Sequence, residues 1–174
     1  VVRGYNDGFA FCYKIPDGKG PCVNVQSELT AYNFAGDYTA WFYNGENHNI
    51  GPEKLTETDG TRLPVMTVKA GDKHYMAIHE ACLETGAPLV LQSKGGESLF
   101  SVASKPTSLS PGYTSAWRVV LYGTTPGVLT DSHLLELLNP DPDSRYDFSW
   151  VKPGLAVWDW RINGAVWDGF TYGM

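Results

Sequence analysis

The stretch "HYMAIHEACL", residues 74–83, decides how this chain is read. Side chains on a strand alternate between faces, so Tyr75, Ala77 and His79 share one face while Met76, Ile78 and Glu80 share the other. Glu80 therefore follows two apolar residues toward a core. A carboxylate on a core-directed face needs a base, several N–H donors or a metal ion to offset its lost hydration. Two readings are open: a strand-end Glu80 turned to solvent, or a partnered, functional carboxylate. His79 reads as a structural imidazole satisfied by its neighbours. The pair is not the HExxH zinc helix, because no histidine follows at the required spacing. A metal held here through carboxylate oxygen would be a hard ion such as calcium.

Working outward, "LPVMTVKA" (63–70), "GDK" (71–73) and "HYMAIHEA" (74–81) form a predicted hairpin. "PLVLQS" (88–93) and "LFSVAS" (99–104) around "GGES" form a second. "GFAFCYKI" (8–15), "VNVQSELTAYNF" (23–34), "GDYTAWFY" (36–43) and "AWRVVLYG" (116–123) supply further extended segments. Large aromatic residues alternate onto both faces of such strands, which suits an antiparallel sandwich with sheets covered on both sides. The character changes after Gly123. "TPGVLTDSHLLELLNP" (125–140) is predicted to hold a helix, capped by Thr130 or Asp131 and buried through Leu134, Leu135, Leu137 and Leu138. Asn139-Pro140 ends it.

The totals set limits. The 174 residues are 43% hydrophobic, enough for a sizeable core. A formal net charge of −6 argues against nucleic-acid binding, which needs a basic face. No apolar run of roughly 18 residues is present, so no helical membrane span is expected. The chain opens on Val1 and stops soon after a strand-like segment, and so reads as a piece of something longer. Three cysteines without a CxxC disfavour a zinc site or disulfide scaffold; Cys12 and Cys22 bracket a turn-rich connector and read as free thiols, with a cross-strand pair as the alternative.

Three further stretches carry chemistry. In "AVWDW", Asp159 stands between Trp158 and Trp160. Indole faces stack on the apolar C–H surface of sugars, and a carboxylate accepts from sugar hydroxyls. The alternative is ordinary aromatic core with a strand-end aspartate. "NFAGDYTAWFY" could line a sugar cleft through Asn33 and Asp37, or be turn chemistry beside a core. Arg118, inside an apolar strand, is expected to pair with an acid. Serine-hydrolase elbows and phosphate-binding loops are missing from the sequence.

In order, "YNDGFAFCYKI", "NFAGDYTAW", "HYMAIHEACL", "SAWRVVLYG", "LLELLNP", "SWVKPGLAVWDW" and "DGFTYGM" resemble glycoside hydrolase family 97. The resemblance implies a mainly β fold: the later part of an antiparallel β-super-sandwich over residues 1–123, a linker with a helix over 124–153, and the start of a (β/α)8 barrel, including its first strand, over 154–174. It implies a calcium-dependent, exo-acting α-glycosidase that hydrolyses terminal α-glucosyl or α-galactosyl residues of oligosaccharides, in a bacterial periplasm or outside the cell. Within it Glu80 would be a calcium ligand from the sandwich, and Trp158, Asp159 and Trp160 would bind substrate at the tip of the first barrel strand. The catalytic carboxyl groups of the family lie beyond that strand, so none is assigned to this chain. The rival readings are a non-catalytic carbohydrate-binding sandwich and a structural docking module.

Overall fold

The structure, a computed structural model, describes residues 1–43, 49–84, 87–94, 96, 98–101 and 107–155. Its strands follow the turn punctuation of the sequence: β1 (Val2–Tyr5), β2 (Gly8–Phe11), β3 (Val23–Val25), β4 (Ala31–Asn33), β5 (Thr39–Tyr43), β6 (Asn49–Lys54), β7 (Asp59–Ala70), β8 (His74–Ala81), β9 (Leu91–Lys94), β10 (Ser98–Ser101), β11 (Thr107–Leu109) and β12 (Trp117–Gly123). Two short helices come last, α1 (Pro126–Asp131) and α2 (Leu134–Leu137).

Gly71 at φ +66° turns the predicted hairpin, a backbone conformation that glycine adopts without a Cβ penalty. β7 and β8 pair antiparallel from Met66↔Ile78 to Ala70↔His74. The second predicted hairpin is β9 with β10. One layer runs β1-β2-β12-β8-β7, with β5 and then β6 beyond β7; the other runs β7-β9-β10-β4. β7 belongs to both. Its Met66–Ala70 half lies against β8, and its Asp59–Arg62 half pairs with β9. β3 and β11 form a separate two-stranded ribbon.

Burial follows the alternation along β8. Met76 and Ile78 face a core between the layers, built from Ala40, Phe42, Leu55, Met66, Val68, Leu89 and Leu91. Ala77 and Ala81 face the opposite core, with Ala10, Cys12, Trp117, Val119, Leu121, Leu134 and Leu138. The central strands are thus covered on both faces, as the sequence predicts. Backbones approach closely where β2 meets β12. A Cβ placed on Gly8 would lie 2.3 Å from the Val120 carbonyl oxygen and 3.0 Å from Leu121 Cα. Gly8→Ala is expected to cost about 1–3 kcal/mol through forced strand separation, read as a lowered chemical-denaturation midpoint.

The helical segment departs from its prediction. The chain forms two short helices that break at Ser132 and His133, so Thr130 and Asp131 lie inside α1 rather than capping a helix. The break coincides with a long-range contact: Ser132 Oγ donates to Asp7 Oδ2 and accepts from the Leu134 N–H, tying the backbone to the loop between β1 and β2. Leu134 and Leu138 are buried in the second core, but Leu137 is 63% exposed. These helices fold into the first compact unit, which extends from Val1 to Pro140. In the second unit, the described residues 141–155 form turns with local contacts, among them Arg145 with Asp143 and the Ser149 N–H with Asp147. The anticipated barrel strand, with Trp158, Asp159 and Trp160, lies outside the described residues. All three cysteines are free.

Candidate functional site

Glu80 sits next to the last residue of β8, and the register places Arg118 of β12 directly opposite it. Trp117, Val119 and Leu121 of β12 fill the second core, so strand alternation turns Arg118 to the inter-layer face that also receives Glu80. The Glu80 side chain is only 9% exposed, and the Arg118 side chain 3%. The solvent-facing reading of Glu80 therefore does not hold. Its carboxylate has the partners that burial demands: Oε2 accepts from the Leu89 N–H and lies 3.4 Å from Arg118 Nη1. No hydrogen bond reaches Oε1 among the described residues.

Arg118 pairs with acid, as expected, but its principal partner is Glu28. Nε donates to Oε1 at 3.0 Å and Nη2 to Oε2 at 2.6 Å, the two-point geometry that guanidinium and carboxylate planes favour. Nη1 and Nη2 also approach the Ala87 carbonyl at 3.5 and 3.4 Å. Thr30 Oγ1 donates to Glu28 Oε1 at 2.7 Å and lies 2.9 Å from the Tyr13 hydroxyl. Glu28 escapes sequence reading because it stands ninety positions from Arg118 and follows β3 in an unremarkable polar run. Only the tertiary fold makes it an ion-pair partner.

The electrostatics follow from burial and charge count. Burial pushes the Glu80 carboxyl above the usual carboxylate range, against the opposing pull of the Leu89 N–H and Arg118. Burial works against the Arg118 charge, yet the Glu28 carboxylate more than compensates and its pKa is raised. The Tyr32 hydroxyl is buried without a hydrogen-bond partner among the described residues. Burial raises its pKa, and Arg118 pulls the other way. Glu28 and Glu80 thus share the Arg118 guanidinium.

His79 turns to the opposite face, and its Nδ1 accepts from the Glu80 N–H at 2.7 Å. It is a locally satisfied histidine. Asp37 is a latch: its carboxylate accepts from the Thr56 N–H at 3.0 Å and the Thr56 hydroxyl at 2.9 Å. These bonds hold its carboxyl below the ordinary range. Asn33 lies in β4, opposite Ser98 of β10. The turn-and-core reading of this stretch accounts for Asp37.

A hard cation can be tested against this geometry. One carboxylate oxygen is tied down and the other accepts no hydrogen bond among the described residues, which fits a single calcium ligand. No group of three or more His, Cys, Asp and Glu side chains that could hold a metal occurs among the described residues. Calcium takes 6–8 oxygen ligands, so Glu80 could be only one of several.

The family model described as "Glycosyl-hydrolase 97 N-terminal" matches residues 1–140. A "Retaining alpha-galactosidase" of Bacteroides thetaiotaomicron is 27% identical over 91% of this chain and 30% of its own length. A "Probable retaining alpha-galactosidase" of Streptomyces bingchenggensis is 29% identical over 94% of this chain and 26% of its own. The solved structure of a glycoside hydrolase family 97 enzyme from Pseudoalteromonas sp. strain K8, in complex with acarbose, superposes with a TM-score of 0.73 at 25% identity, over 86% of this chain and 24% of the enzyme. The chain thus spans less than a third of each of these proteins. With the sandwich in place and 140 residues matched, the chain belongs to glycoside hydrolase family 97, in the family's N-terminal region.

Proposed function

We propose that the protein carrying this chain is a retaining α-glycosidase acting on terminal α-galactosyl residues of oligosaccharides. The observation that carries the reading is the family match over residues 1–140, joined to two curated relatives that are both named for retaining α-galactosidase activity. α-Glucosides are the second reading, favoured by neighbouring structures solved with acarbose and panose. Retention needs two carboxyl groups flanking the glycosidic bond, about 5–5.5 Å apart. Glu28 and Glu80 do not qualify, because both are engaged by Arg118. The catalytic pair is accordingly assigned to chain outside the described residues.

In this reading Glu80 supplies one calcium ligand through its spare oxygen. When bound, the ion would supply positive charge that orients the glycosidic bond toward the catalytic acid. Arg118 and the Leu89 N–H hold the Glu80 carboxylate in place. Trp158, Asp159 and Trp160 would contribute an aromatic sugar-binding floor. A periplasmic or secreted setting belongs to the same reading and rests on the family resemblance alone.

The test is turnover by the complete protein. Aryl α-galactoside is expected to be hydrolysed faster than aryl α-glucoside, and proton NMR is expected to show the α-anomer released first. The reverse substrate order would move the reading to α-glucosides. Saturable sugar binding without hydrolysis would replace it with a carbohydrate-binding module.

A further inference from the structure

Arg118 lies between two acids and does not treat them alike. Glu28 takes Nε and Nη2 at 3.0 and 2.6 Å, whereas Glu80 receives only Nη1, at 3.4 Å. A guanidinium that closed fully on Glu80 would neutralise it and leave a cation little to bind. Glu28 is propped in turn by Thr30, which Tyr13 contacts, so the clamp is anchored away from β8. We propose that Glu28 is a positioning residue for the metal site: by clamping Arg118 it keeps the Glu80 charge available to a divalent cation. The inference rests on Glu80 being a calcium ligand. Glu28 would act through Arg118 and would not touch the ion.

Calcium chloride titrated into the complete, metal-stripped protein in a calorimeter separates the cases. Glu28→Gln is expected to weaken calcium binding about tenfold or more, the scale of outer-shell effects on metal sites. Glu28→Asp keeps the charge but shortens the side chain and breaks the two-point clamp. It is expected to weaken binding by about threefold to tenfold. Unchanged affinity in both, with only a lower melting temperature, would overturn the proposal as a purely structural role. Loss in Glu28→Gln with wild-type affinity in Glu28→Asp would also overturn it, because a field effect alone would then suffice. Should neither variant fold, Thr30→Val removes the prop from Glu28, and its calcium affinity is read the same way: a loss supports the clamp, and no change overturns it. Glu80→Gln is the control. A wild-type protein that binds no calcium, or a Glu80→Gln variant that binds it normally, would sink the parent reading instead.

Discussion

Replacing Arg118 with methionine is expected to lower the unfolding free energy by about 3–5 kcal/mol, the usual cost of removing one partner from a buried ion pair. The side chain is 3% exposed, and its fork engages Glu28, Glu80 and the Ala87 carbonyl together. Methionine keeps most of the aliphatic volume, so the loss isolates charge and hydrogen bonding from packing. What remains is an acidic pair with no cation between its members, in a place where water does not replace the lost bonds. Denaturant unfolding measures the effect. A partial rescue is expected in the Arg118→Met, Glu28→Met double variant, because it removes one of the two stranded carboxylates and leaves only Glu80. A loss below about 1 kcal/mol, the range of exposed pairs, would show that Arg118 is solvated and the inter-layer cluster misplaced.

The second large effect concerns activity. On the proposed calcium role, Glu80→Gln in the complete protein is expected to reduce kcat/KM on an aryl α-galactoside by about a hundredfold or more, through loss of the several kcal/mol of charge stabilisation a bound ion would supply. The amide is nearly isosteric and can still accept from the Leu89 N–H, so the fold should survive. Chelation of the wild-type protein should produce the same loss, reversed by added calcium. Chelator should then have no further effect on Glu80→Gln, since both act on one ion. Full activity in either experiment would remove the metal role from Glu80 while leaving the family assignment intact.

The parts that were legible obey local rules. Two-residue alternation along 74–81 predicts which side chains enter which core, and the structure confirms it at Met76, Ala77, Ile78 and Ala81. Turn residues locate both hairpins, although β9 starts at Leu91 rather than at residue 88, and residues 102–104 of the second predicted hairpin lie outside the described residues. Arg118 within an apolar strand signals an acidic partner, but no local pattern says which acid. Glu28 arrives from a distant connector, and the Leu89 N–H comes from a loop before β9, so both depend on tertiary placement. The helix departs from its prediction for a related reason. Leucines at helical spacing imply one continuous face, but the segment breaks where Ser132 bonds Asp7 across 125 positions, and Leu137 stays exposed.

Because β7 is stitched into both layers, neither layer can peel away and leave the other whole. Opening the pairs around Asp59–Arg62 would unseat Met66 and Val68 in the shared core, and disturbing that core would loosen the hold on β9. Amide hydrogen exchange along this strand should therefore report one common opening energy from end to end, the signature of a single cooperative unit rather than two stacked ones.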